Sequence, residues 1–221
     1  MPTEPVSIAQ TVVFGVAFDP KNSERVARMD LNELFASVGR LFDLLEEREI
    51  DYVLVGGIAM LLYVEGRNTQ DIDLIVSEED LKMLPELRID ERNERFVQAR
   101  LGDLRVDLLL AEKEPFRLVL EQHTAAKPFA DRTIPTASEE GLLLLKLFAL
   151  PSLYRQGQFS KVNIYEGDIA QLITSVGTVG PDTWDALEDS LVESDVAELR
   201  KIVAGIEDKI ANEGNRFGGE G

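Results

Sequence analysis

A chain of 221 residues, 44% hydrophobic and 29% charged, can bury a core as one large domain or two small ones, which excludes a disordered or fibrous protein. Its 41 acidic and 23 basic residues leave a net charge of −18, so extended nucleic-acid binding is not expected, although a local basic patch stays compatible and a salt-adapted proteome would show the same balance. With no cysteine and His123 as the only histidine, disulfides, thiolate zinc sites, thiol catalysis and His-based triads are excluded.

Residues 1–29 read as a weakly organised N-terminal extension. The apolar run within MPTEPVSIAQTVVFGVAF follows Glu4 rather than Lys or Arg and is too short to span a bilayer. The expectation is a cytoplasmic protein with no membrane partner. Val12 to Phe18 has the composition of an edge strand, and Asp19-Pro20-Lys21-Asn22 that of a turn. Asp30 and Glu33 then make a capping-box pattern before Leu31, Leu34, Phe35, Val38, Leu41, Phe42 and Leu45, which recur at helical spacing. Tyr52 to Val55 predicts a strand, Gly56-Gly57 a turn into a short apolar helix, Gly66-Arg67-Asn68 a turn, and Gln70 to Val76 a second strand. A short helix from Ser77 stops at Pro85, and Arg95–Leu101 and Leu104–Ala111 form a hairpin around Gly102-Asp103. From Thr136 the pattern becomes helical: Thr136 and Glu139 cap LLLLKLFAL, which breaks at Pro151, and helices follow around 165–176, 182–192 and 195–212. The layout is an α+β core over 30–135, a helical region over 136–212 and a disordered tail over 213–221.

The chemistry concentrates in Asp71-Ile72-Asp73-Leu74. On a strand the two aspartates share one face, about 6–7 Å apart, and their repulsion calls for a raised pKa or a cation. Mg2+ suits such a pair because it takes hard oxygen ligands and keeps positions open for phosphate oxygens. Asp107 adds a third carboxylate amid apolar neighbours, where an unpaired charge is costly. Gly56-Gly57, at the end of a strand, lets backbone N–H groups approach a phosphate without an intervening Cβ. Three carboxylates on two strands beside such a turn suggest a two-metal phosphoryl- or nucleotidyl-transfer site.

This pattern of strand, Gly-Gly, Asp-Ile-Asp-Leu and a later Val-Asp-Leu resembles the polymerase-β-type nucleotidyltransferase superfamily, and VGGIAMLLY…GRNTQDIDLIV is similar to its AbiEii-toxin-like and minimal nucleotidyltransferase groups. The resemblance spans about residues 30–175. It implies a nucleotidyltransferase-fold mixed sheet with flanking helices and a C-terminal helical region. It also implies an NTP substrate, two Mg2+ ions held by Asp71, Asp73 and Asp107, and transfer of a nucleoside monophosphate to an acceptor hydroxyl. Asp107 further matches the carboxylate that helps activate the acceptor. Gly56 and Gly57 match the nucleotide-phosphate turn, and Arg67 and Thr69 the lead-in that touches phosphate or orders the loop. Lys146 and Asp168 match a helical Lys and a following Asp of the AbiEii-type group, although Glu166-Gly167 stands where that group usually has a basic residue.

The acceptor stays open between a protein side chain, a small molecule and an RNA 3′ end. Arg88, Arg92, Arg95, Arg100 and Arg105 are the one basic concentration an RNA would find. A cognate small partner protein and a toxin–antitoxin or phage-defence setting follow from the resemblance. Two rivals stand beside the enzyme: a non-catalytic nucleotidyltransferase-fold binding module or antitoxin, and an interaction protein whose acidic surface docks a basic partner.

Overall fold

In the computed structural model, which describes residues 7–27, 29–63, 69–130 and 132–216, the first apolar run is a helix, α1 (Ile8–Ala17). The Ser7 hydroxyl accepts from Gln10 N at 3.3 Å, and Ile8, Val12, Gly15 and Val16 return to one buried face. Val12 to Phe18, expected as an edge strand, is therefore helical up to Ala17. Its β-branched residues favour a strand only weakly, and the i, i+4, i+7, i+8 spacing lets the stretch bury one stripe against α3 (Leu31–Glu47). A single 3-10 turn (Pro20–Asn22) and α2 (Ser23–Val26) lead on. Asp30 caps α3 as its position suggests: its Oδ1 accepts from Asn32 N at 2.8 Å and from Glu33 N at 3.4 Å.

Seven strands follow: β1 (Tyr52–Val55), β2 (Asp71–Val76), β3 (Arg88–Arg92), β4 (Phe96–Leu101), β5 (Leu104–Leu110), β6 (Thr124–Pro128) and β7 (Thr133–Ala137). They form one mixed sheet in the order β3-β4-β5-β2-β1-β7-β6, in which β2 runs parallel to β5 and β1 parallel to β7 while every other pair is antiparallel. Helices α4 (Gly56–Met60), α5 (Glu78–Lys82) and α6 (Phe116–Gln122) lie in the connections. β2 sits at the centre, and Ile72, Leu74, Ile75 and Val76 are all buried. Strands β3, β6 and β7 are hard to see in the sequence for physical reasons. β3 is exposed at every position and shows no alternation, whereas Pro128 and Pro135 demote the other two. β7 meets β1 one residue beyond its proline, at Leu54 opposite Thr136.

Contacts divide the chain into a unit ending at Ala137 and a second beginning at Ser138. The second unit is helical: α7 (Glu139–Arg155), α8 (Phe159–Val176), α9 (Pro181–Ser190) and α10 (Glu193–Arg216). Ser138, not Thr136, caps α7 by accepting from Gly141 N at 3.3 Å, because Thr136 is taken up in β7. Nor does Pro151 break α7. It removes one backbone donor, yet Leu142, Leu143, Leu144, Leu147 and Leu150 are buried and α7 packs on α8 and α9, which outweighs the local penalty. α10 continues to Arg216, beyond the residue 213 at which the sequence suggests a tail; residues 217–221 lie outside the described residues. Among the described residues no helix is long and apolar enough to cross a membrane.

The Asp30 cap yields a test: Asp30→Ala leaves two N-terminal amides of α3 without their acceptor and is expected to cost about 1 kcal/mol, read as a lower urea midpoint at unchanged m-value. An unshifted midpoint would show that the cap contributes nothing.

Candidate functional site

Register builds the site. β2 alternates, so Ile72 and Leu74 face the core while Asp71 and Asp73 share the other, less buried face. Because β5 is parallel to β2 with Asp73 opposite Asp107 and Asp71 opposite Arg105, the same face carries Asp107 and Arg105 on the neighbouring strand. On the other side of β2, Val55 lies opposite Asp73, so Gly56 and Gly57 emerge from β1 beside the two aspartates. Asp71, Asp73, Asp107, Gly56, Gly57 and Thr69, all singled out in the sequence, are thereby brought together. Asp71 and Asp73 are not surface charges at a sheet edge, since β2 is central.

The glycines owe their place to close approach. A Cβ on Gly56, whose φ is +64°, would stand 2.0 Å from Asp73 Oδ2, and one on Gly57 would stand 2.5 Å from Thr69 Oγ1. Gly57 N donates to Asp73 Oδ2 at 3.4 Å, and Thr69 Oγ1 donates to the Asp71 carbonyl at 3.4 Å. Thr69 thus lies at the entry to β2. Arg67 and the turn expected at Gly66-Arg67-Asn68 lie outside the described residues.

Arg105 is the site-facing residue that the sequence places only in a basic cluster. Its signal is the strand period: two residues before Asp107, it must share that face. Arg105 Nε stands 3.5 Å from Asp71 Oδ1, too far for a directed hydrogen bond, and that buried oxygen has no hydrogen-bond partner among the described residues. No group of three or more His, Cys, Asp or Glu side chains among the described residues is gathered closely enough to hold a metal ion by itself. The other clustered arginines are engaged elsewhere. Arg88 and Arg100 pair with Asp90 at 3.1 and 2.6 Å, Arg92 with Glu78 at 2.6 Å, and Arg95 donates to the Glu114 carbonyl at 2.8 Å.

In the second unit, Lys146 and Asp168 form a pair of their own. Lys146 Nζ lies 3.0 Å from Asp168 Oδ2 and 3.8 Å from the Tyr165 ring centroid, and the two residues are only 6% and 4% exposed. A lysine in an apolar helix needs a partner; here an acid and an aromatic face from α8 supply it. Arg155 ends α7 and pairs with Asp195 at 2.7 Å.

Two outcomes follow. Gly56→Ala forces a side chain into a left-handed backbone and against Asp73, so it is expected to lower stability by about 1–3 kcal/mol, whereas Gly39→Ala, with nothing within 4 Å of the added Cβ, is expected to be neutral or stabilising; denaturation of both variants checks this. Lys146→Met strands a buried carboxylate and is expected to cost about 3–5 kcal/mol, most of it recovered when Asp168→Leu is added, as a double-mutant cycle would show.

No family model and no curated protein matches the chain. Solved structures do. The antibiotic-resistance factor ANT(2'')-Ia is 20% identical with a TM-score of 0.53, covering 83% of this chain and 100% of its own. An antigenic nucleotidyltransferase-like protein from Paracoccidioides brasiliensis is 19% identical with a TM-score of 0.53, covering 80% of this chain and 87% of its own. The mixed seven-stranded sheet with flanking helices, followed by a helical region, is the nucleotidyltransferase fold.

Proposed function

We propose that the chain is a magnesium-dependent nucleotidyltransferase that moves a nucleoside monophosphate from an NTP to an acceptor hydroxyl. The observation that carries the reading is the register that sets Asp107 beside Asp73 on parallel central strands, with Asp71 on the same face and two glycines too crowded to bear a side chain. The donor set suits a hard cation: Asp71 offers a buried oxygen with no hydrogen-bond partner among the described residues, and Asp73 stands one strand repeat away. Mg2+ is commonly held by one or two carboxylates together with substrate phosphates, so a site incomplete without nucleotide is what such an ion requires.

Asp71 and Asp73 would hold the metal, with Asp107 contributing to a second ion; when bound, the ions supply charge neutralisation at the triphosphate. Asp107 would accept the proton of the acceptor hydroxyl as that oxygen bonds to the α-phosphorus and pyrophosphate leaves. Gly56 and Gly57 keep the approach to the aspartates clear for phosphate, and Thr69, by the resemblance, would touch phosphate or order the loop before β2. By the resemblance, Lys146 belongs to the catalytic set, and Arg67 and Asp168 to nucleotide binding. The acceptor we favour is a small molecule, because four of the five clustered arginines are tied up away from the carboxylates and the chain is strongly acidic. One fold neighbour, moreover, is named an antibiotic-resistance factor. A toxin–antitoxin setting with a small partner protein rests on the AbiEii-type resemblance, and a neighbouring gene for such a partner would support it.

The test incubates the chain with each labelled NTP, Mg2+ and hydroxyl-bearing acceptors, alongside Asp71→Ala/Asp73→Ala. Expected are a thermal shift that needs both NTP and Mg2+, label on one acceptor class, and loss of both in the variant. No shift and no label would sink the enzyme; a shift that survives with no transfer to any acceptor would instead identify a binding module.

A further inference from the structure

Gln70 immediately precedes Asp71, outside the sheet ladder that begins at Asp71. Its amide is held at both ends by the segment that follows α1. Asn22 Nδ2 donates to Gln70 Oε1 at 2.8 Å, and Gln70 Nε2 donates to Asp19 Oδ2 at 2.7 Å. This two-point contact leaves one orientation for the amide, oxygen to donor and nitrogen to acceptor. The two clamp residues are themselves fixed. Asn22 Nδ2 also donates to the Val16 carbonyl at 3.2 Å in the last turn of α1, and Asp19 Oδ1 accepts from Lys21 N at 2.9 Å. The Lys21 backbone N–H and then the Gln70 amide hold the Asp19 carboxyl below its ordinary pKa, so it stays a charged acceptor. Val12 and Val16 bury α1 against α3, so the chain of contacts runs from the core of the first unit to the residue before Asp71.

We infer that Asp19, Asn22 and Gln70 form a polar clamp that positions Asp71 and thereby sets the cation affinity of the site. This rests on the reading of Asp71 and Asp73 as metal ligands. Asp71 is the end residue of its strand, and end residues fray unless something outside the ladder holds them. The Thr69 hydroxyl, at 3.4 Å from the Asp71 carbonyl, is a long contact and does little by itself. Residues that orient metal ligands typically change metal affinity by about 10–100-fold when lost. None of the three residues is in the catalytic set, so they act as positioning residues.

The experiment measures Mn2+ binding to the full chain by calorimetry in the presence of a non-hydrolysable NTP analogue, which supplies the phosphate oxygens the ion shares, with thermal unfolding of the same samples. Gln70→Met keeps the length of the side chain and deletes both hydrogen bonds; Asn22→Ala removes one from a position remote in sequence. Gln70→Glu combined with Asp19→Asn keeps both bonds and the net charge, the new amide donating to the new carboxylate while Asn22 still donates. The clamp predicts Mn2+ affinity about 10–100-fold weaker in Gln70→Met, reduced in Asn22→Ala and close to wild type in the exchanged pair, all in folded protein. Wild-type affinity in both Gln70→Met and Asn22→Ala, with Asp71→Ala abolishing binding, overturns the clamp alone. Affinity lost only in step with unfolding also overturns it. Wild-type protein that binds Mn2+ no better than Asp71→Ala overturns the site reading, and the clamp with it.

Discussion

Two carboxylates placed side by side on adjacent central strands set the terms for the first unit. Asp73 and Asp107 are register partners on β2 and β5, and neighbouring strands lie only about 4.8 Å apart. Like charges at that spacing repel, and they are kept together only where donors or cations gather round them. The surrounding residues answer that demand. Gly57 turns its N–H to Asp73, Arg105 stands by Asp71, and the absence of side chains on Gly56 and Gly57 makes the approach possible. The opposite face of the same strands is apolar and buried, which holds the register. A slip of one residue would send Asp71 and Asp73 into the core and Ile72 and Leu74 out of it.

Charge is handled locally throughout the molecule. At the β3 edge, Arg88, Asp90 and Arg100 form a surface network, and Arg92 reaches Glu78. Such pairs add little stability, but an edge strand charged along its length resists pairing with another chain. What looks in the sequence like a basic patch is therefore mostly self-neutralised. In the second unit the logic is the reverse. Lys146 and Asp168 are buried, and their value depends on each partner staying in place, with Tyr165 covering the ammonium.

The elements with a strong period were legible in the sequence: α3 with its cap, the central strands β1 and β2, the β4–β5 hairpin and the helical second unit. The carboxylates and the Gly-Gly turn were legible too, because an Asp alternating with Ile, Leu and Val puts a charge into a central strand, which is costly unless a cation or a donor faces it. Where local preference and tertiary packing disagreed, packing decided. It made Ile8–Ala17 a helix despite its β-branched residues and carried α7 through Pro151. It also made β6 and β7 strands despite their prolines, on pairings between distant segments that no local window contains.

By itself, then, the sequence determined which residues must face a polar site, since strand alternation is a property of consecutive residues. Tertiary structure alone decided that Asp107 would sit beside Asp73 rather than Asp71, and that Arg105 would face Asp71. It alone brought Asp19 and Asn22 to Gln70. Each of these depends on register or on contact between segments far apart in the chain, and that is settled only when the strands and helices pack.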